Sequence, residues 1–262
     1  MKFSVLTSLL TFAALAPLAS AELYGLSSTT PGTVYTLDTA TGAATPVVDL
    51  SNDILASIVD IEFLGGTAYA CDILTNDGFS FGTIDLNTGA FTALSQQDGS
   101  ANWFGLAAKE SANILYTVDI DDNNTLKSIT PAGVTTSIGG VGFNVYGMTY
   151  DSLTDTLYAT DGQSLYTLDQ TTAAPTLIGT FGGPNDGSSD LAFDPTTNTL
   201  YLNSFDTLYT VDQATGLASL VGPNNAGGVP IDGLGNLAAP VPEPTSMAAI
   251  GLGLLALIRR RR

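Results

Sequence analysis

Carboxylates are almost the only side chains in this sequence that can do chemistry. The chain has no histidine, one cysteine (Cys71), and 25 acidic against seven basic residues in 262. Ser–His–Asp and Cys–His nucleophiles are therefore absent, as is any His/Cys zinc site. What survives is a pair of carboxyl groups, as in glycoside hydrolysis, where one protonates the leaving oxygen and the other serves as nucleophile or base. Asp60, Glu62, Asp190 and Asp232 sit in short apolar stretches where such a pair could form (VDIEF, SDLAF, IDGLGN). In the equivalent stretches, however, Gly105, Gly147 and Gly233 replace Asp60 and Asp190. Glycine in that register suggests a constraint on backbone geometry.

The other acidic motifs read as turns. D-x-x-T-G occurs at Asp38–Gly42, Asp85–Gly89 and Asp212–Gly216, with Ala173 in place of Gly after Asp169 and a shorter loop from Thr130 to Gly133. An aspartate leaving a strand accepts hydrogen bonds from N–H groups two residues on, and glycine supplies positive φ. A hairpin turn is thus preferred over a carboxylate ring for cations. DIDDNN (119–124) begins like a calcium loop, but has Asn124 where the loop needs Gly and Thr130 where it needs a bidentate Glu. It reads as an acidic loop tip, and neither a metal nor a cofactor is expected. Trp103 and Cys71 are expected to pack between strands.

These residues recur on a beat. Asp38, Asp85, Thr130, Asp169 and Asp212 close similar apolar strands (YTLD, TIDL, KSIT, YTLD, YTVD) at steps of 39 to 47 residues. Tyr24, Tyr69, Tyr116, Tyr158 and Tyr201 keep the same period, as do Ile61, Leu106, Met148, Leu191 and Leu234. Each unit reads as four short strands separated by Gly, Asn, Asp and Pro, with period-2 alternation in the second and third. Four strands in about 43 residues is the spacing of a β-propeller blade. The first unit begins at its second strand, and the missing type recurs at 231–237. The expected fold is all-β: a five-bladed propeller over 22–237, closed when that last segment supplies the first blade's inner strand.

Both ends carry different information. Lys2, the apolar run Phe3–Leu18 and Ala19-Ser20-Ala21 form a signal peptide over 1–21, with Ala19 and Ala21 marking the cleavage site and Glu22 the mature start. Residues 22–240 then hold two basic residues, Lys109 and Lys127, against 24 acidic ones, a net charge of −22. That sign repels phosphate backbones and excludes nucleic acid as a partner. With one cysteine no intrachain disulfide forms, so the core must hold the exported fold.

After a linker (238–246), residues 247–262 form a short apolar helix and an arginine cluster. The apolar part, Met247–Ile258, would reach only about 18 Å as a helix, short of a ~30 Å hydrocarbon core. Val241-Pro242-Glu243-Pro244, this short apolar segment and Arg259, Arg260, Arg261 and Arg262 together resemble the PEP-CTERM sorting signal of Gram-negative bacteria. The resemblance implies an exosortase-type processing enzyme as partner and transient inner-membrane insertion through 247–258, with the arginines cytoplasmic. It also implies delivery to the cell surface or extracellular matrix. The body resembles secreted LYTLD-type propeller repeats, a class with no shared activity. Several five-bladed glycoside hydrolases also carry acids on their inner strands, but without such repeats. The expectation is thus a non-enzymatic protein binding an extracellular polysaccharide or surface protein. The alternatives are a carboxylate glycosidase and a purely structural matrix component.

Overall fold

The computed structural model describes residues 22–27, 32–50, 58–75, 78–96, 102–183, 189–227 and 229–237. The signal peptide with Ala19 and Ala21, the Val241–Pro244 motif, segment 247–258 and Arg259–Arg262 lie outside them. So do parts of the loops at 75–82, 181–190 and 222–228.

Among the described residues, twenty strands form five four-stranded antiparallel sheets. Blade 1 combines β1 (Glu22–Ser27), β2 (Thr33–Leu37) and β3 (Ala44–Asp49) with the last strand, β20 (Gly233–Leu237). Blade 2 holds β4 (Ile58–Leu64), β5 (Thr67–Thr75), β6 (Gly78–Ile84) and β7 (Phe91–Gln96). Blade 3 holds β8 (Trp103–Lys109), β9 (Ile114–Asp119), β10 (Thr125–Ile129) and β11 (Thr135–Gly140), with a 3-10 turn at Glu110–Ala112. Blade 4 holds β12 (Gly147–Asp151), β13 (Thr156–Thr160), β14 (Ser164–Leu168) and β15 (Pro175–Thr180). Blade 5 holds β16 (Ser189–Asp194), β17 (Thr199–Ser204), β18 (Thr207–Val211) and β19 (Ala218–Pro223). β20 pairs with β1 in the expected way, Tyr24 facing Gly235 and Gly25 facing Leu234.

The core is divided among the blade junctions, one apolar cluster at each. Tyr24, Leu26 and Val34 of blade 1 meet Ile61, Phe63 and Ala70 of blade 2. Tyr69, Cys71 and Phe81 of blade 2 meet Trp103, Leu106 and Leu115 of blade 3. Equivalent clusters join blades 3 and 4 and blades 4 and 5. The fifth, Leu23, Leu37 and Leu234 against Ala192, Tyr201 and Leu208, closes the ring. Trp103 is buried as expected, its indole Nε1 donating to Asp119 Oδ2 at 3.3 Å. Cys71 is buried as well.

This arrangement corrects the expected alternation in the second strand. Strands such as Thr199–Ser204 are buried on both faces, because a neighbouring blade covers each side. Only the third strand keeps a partial alternation, and the fourth lies mostly exposed at the outside. Every blade also shifts register between its third and fourth strands at the same place: Val34/Tyr35, Phe81/Gly82, Leu126/Lys127, Leu165/Tyr166 and Leu208/Tyr209. A bulge there bends the outer strand and increases its twist.

The D-x-x-T-G segments are turns between the third and fourth strands. Asp38 Oδ1 accepts N–H bonds from Ala40 and Thr41, and Asp212 Oδ1 does the same from Ala214 and Thr215. Gly42 has φ 80°, and Ala173 takes the same left-handed conformation at φ 64°. Each turn also packs on the previous blade. At the closing junction Gly222 of β19 lies against the carbonyl of Thr41, where a Cβ would collide.

Candidate functional site

The innermost strand of each blade has one sheet edge without a strand partner, so its N–H groups need other acceptors. Buried side chains supply them. Asp60 accepts from Ile61 N–H (Oδ1, 2.6 Å) and, through Oδ2, from Leu106 N–H of blade 3. Asp190 repeats the device, Oδ1 accepting from Leu191 N–H and Oδ2 from Leu234 N–H of blade 1, both at 2.7 Å. Thr149 Oγ1 accepts from Phe193 N–H at 3.0 Å, linking blades 4 and 5. Glu62 Oε1 accepts from Phe63 N–H at 2.8 Å, and the Asn236 backbone of blade 1 adds a further hydrogen bond.

Asp60 and Asp190 are both about 1% exposed and hydrogen-bond to each other. Burial pushes both carboxyl groups up, Asp60 well above the usual range, and each is further affected by the other's charge or hydrogen bond. Two carboxyl groups in contact cannot both ionise cheaply, so the pair holds one proton between them. Glu62 is pushed up to about 8, first by burial, with the charges of Asp190 and Glu110 adding to it. Asp232, the fourth candidate, is half-buried just before β20 on the opposite rim, where its N–H donates to Leu26 O at 2.8 Å.

The glycines sharing this register are there for space. A Cβ on Gly147 would lie 2.5 Å from Asp190 Cα, and one on Gly233 would lie 2.8 Å from Asp60 Cα. Of the three, only Gly105 has positive φ. The expected backbone constraint is therefore mainly one of crowding between inner strands.

Above the pair, at the rim where the inner strands end, lies a pocket of about 60 Å³. Its inner lining includes Glu62, Phe63, Thr149, Tyr150, Phe193 and Asn236, all buried, while Gly66, Glu110 and Ser152 at its mouth are exposed. Phe63, Ala108, Tyr150, Phe193 and Asn236 hold the same repeat position, so every blade contributes to it. Asn236 was not among the sequence candidates. Its signal was an amide standing where the other blades carry apolar side chains.

The remaining acidic motifs are tied up structurally. Asp119, first residue of the calcium-like loop, is buried and accepts from Lys127 Nζ at 2.8 Å as well as from Trp103. Lys127 also pairs with Asp122 at 3.1 Å. The other body lysine, Lys109, bonds Asp155 at 2.6 Å and Gln170 at 2.8 Å. Among the described residues no group of three or more acidic or cysteine side chains is placed to hold a metal ion, and no helix is long and apolar enough to cross a membrane.

The ring and its axial pocket define a five-bladed, all-β propeller, and comparison with known structures agrees at the level of fold. A chain of the nidogen/laminin complex matches over 84% of this chain and 99% of its own, with a TM-score of 0.58 and 14% identity. TolB from Acinetobacter baumannii matches over 79% of this chain and 54% of its own, with a TM-score of 0.53 and 14% identity. No curated protein matches the sequence. Residues 240–262 match the PEP-CTERM protein-sorting motif. The chain is thus a β-propeller followed by a sorting tail, which implies export, cell-surface association and processing by an exosortase-type enzyme.

Proposed function

We propose that this chain is an exported, non-enzymatic β-propeller that binds a polysaccharide or protein at the cell surface or in the extracellular matrix. It would lose its leader after Ala21 and its tail to the exosortase-type enzyme, after transient anchoring through 247–258. The observation that carries this reading is that the strands lie between the stretch that reads as a leader and the sorting motif. The first strand begins at Glu22, the closing strand ends at Leu237, and the sorting motif starts at residue 240. Both ends can be removed without taking any of the described strands from the ring.

The inner-strand acids favour a binding protein over a glycosidase. Retaining enzymes hold their carboxyl groups about 5 Å apart and inverting ones about 6.5–9.5 Å apart, in an open cleft. Asp60 and Asp190 are instead buried in direct contact, with their oxygens bonded to strand N–H groups.

Mass spectrometry of the protein recovered from the cell exterior tests this. We expect an N-terminus at Glu22 and loss of mass at the C-terminal end. An intact 1–262 chain confined to the cytoplasm would overturn the reading. A glycan array and a pull-down that both return nothing would favour the purely structural matrix protein.

A further inference from the structure

The loop that begins like a calcium site carries a second pattern. Asn123 is the one asparagine in the sequence with Ser or Thr two residues on, in Asn123-Asn124-Thr125. That spacing, with any residue but proline between, is an acceptor for N-linked sugar in an exported protein. Asp121 adds a carboxylate two residues before the asparagine, where bacterial acceptor sites carry an acid. Residues 121–125 therefore read D-x-N-x-T.

The fold puts this pattern within reach of a membrane-bound transferase. It occupies the turn between β9 and β10, residues 120–124, and the first residue of β10. The turn stands on the rim where the inner strands begin, since Trp103 pairs with Asp119. It is longer than its counterparts in blades 4 and 5, 161–163 and 205–206. The base of the turn is tied down: Asp119 Oδ1 accepts from Asp122 N–H at 3.3 Å, and Lys127 bonds both acids. The tip is open. Asp121 and Asn123 are exposed, and no hydrogen bond holds the Asn123 side chain to the described residues. Asn123 has φ 55°, a left-handed turn conformation that asparagine tolerates. Thr125 is half-buried and its Oγ1 donates to Asp122 O, which leaves the hydroxyl lone pairs able to accept.

We propose that Asn123 is N-glycosylated during export, from an oligosaccharide carried on a polyprenyl diphosphate. The side-chain amide nitrogen of Asn123 attacks the anomeric carbon of the first sugar. The carbon–oxygen bond to the diphosphate breaks and the diphosphate leaves with the electron pair. The nitrogen gives up one of its two protons, and a neutral N-glycosidic bond remains. The Thr125 hydroxyl and the Asp121 carboxylate are the groups by which the transferase recognises the turn, one by hydrogen bonding and one by charge.

Trypsin isolates the site. Lys109 and Lys127, the only basic residues between 22 and 240, bracket it, so digestion releases peptide 110–127. The protein recovered from the exterior of its own cells is denatured, digested and analysed by mass spectrometry with electron-transfer fragmentation. We expect peptide 110–127 to carry the added mass of one or more sugar residues, placed by fragmentation on Asn123. Asn123→Asp, which keeps a side chain suited to left-handed backbone, should lose that mass entirely. Thr125→Val keeps the branched shape a strand favours and should lose it too. Asp121→Ala should lower occupancy at least about tenfold, as loss of one charge-assisted contact implies.

A bare peptide as the only form in the wild type, sugar remaining in Asn123→Asp, or full occupancy in Thr125→Val would overturn the proposal. So would sugar placed on Ser111, Thr117 or Thr125, which would be O-linked. The inference rests on the export reading, because the lipid-linked donor faces outward across the inner membrane, and the same digest separates the two. The peptide ending at Lys109 reports the N-terminus. A start at Glu22 with a bare 110–127 defeats the glycan alone, whereas an intact leader on a cytoplasmic chain defeats export and the glycan together.

Discussion

The carboxyl groups of Asp60 and Asp190 hydrogen-bond to each other although their blades, 2 and 5, are not neighbours. Each carboxyl also reaches an N–H of the next blade, Leu106 in one case and Leu234 in the other. Two acids thus tie four of the five inner strands together. In a ring with no intrachain disulfide this polar knot complements the five apolar junctions, and its cost is a carboxyl pair that resists full ionisation.

That cost gives stability an unusual pH dependence. Asp60, Asp190 and Glu62 have raised pKa values, so the folded protein binds more protons than the unfolded chain between about pH 4 and, for Glu62, about 8. Stability is therefore lost as pH rises through this window, by at most about 1.4 kcal/mol per pH unit for each carboxyl group. The exposed aspartates Asp38, Asp85, Asp155, Asp169 and Asp212 have lowered values and act oppositely, withdrawing stability only as pH falls below the ordinary carboxylate range. Melting followed by circular dichroism should place the optimum near pH 4–5. Asp190→Asn should flatten the decline toward pH 8, and a wild-type melting temperature that climbs from pH 5 to 8 would contradict the shared proton.

Crowding at the same level makes a second expectation. Gly147→Ala places a methyl group 2.5 Å from Asp190 Cα, and Gly233→Ala places one 2.8 Å from Asp60 Cα. The obstacles are backbone atoms, which cannot swing aside. Each substitution should cost about 2–3 kcal/mol in denaturant unfolding. Gly183→Ala, with nothing within 4 Å and no positive φ, is the control and should stay within about 0.5 kcal/mol of the wild type.

The repeated tyrosines yield a third. Tyr116 OH donates to Gln170 Oε1 at 3.1 Å, and Gln170 Nε2 returns to Asp155 O at 2.8 Å. Tyr158 and Gln213 repeat the clasp at the next junction with longer bonds, 3.3 Å each, and without a lysine. Gln170→Ala should cost about 1 kcal/mol and Gln213→Ala less. Gln170→Ala combined with Tyr116→Phe should fall short of the sum of the single effects, because both remove the same bond.

Sequence periodicity carried the blades because every blade solves the same packing problem with the same residue types. The D-x-x-T-G turns were legible for a local reason: Asp38 and Asp212 bond N–H groups only two and three residues away. The contact between Asp60 and Asp190 was not legible, because it depends on where two non-adjacent blades meet. The register showed only that both acids replace glycine. Asn236 was hidden for the same reason, since its place in the pocket lining appears only when five strand ends are brought together. The bulge in each outer hairpin leaves one aliphatic residue of the fourth strand without a partner (Val47, Leu94, Ile138, Ile178 and Val221), and an aliphatic residue is too ordinary in a strand to announce a bulge from sequence.

The closing strand sets where the chain can be cut. A protein ending at Leu237 keeps every described strand, and its melting should match the longer chain. One ending at Pro230 loses Ile231 and Leu234 from the fifth junction, the ladder between Leu23–Leu26 and Gly233–Asn236, and the Leu234 N–H that Asp190 accepts. Losing a buried Leu or Ile side chain costs about 2–5 kcal/mol in comparable cores, and β1 is left with an unpaired edge. We expect no cooperative melt from this form. A synthetic peptide spanning 229–240 should restore the melt by adding back the strand in trans. If the shorter protein melts like the parent, β20 is dispensable and the ring is held by its other four junctions.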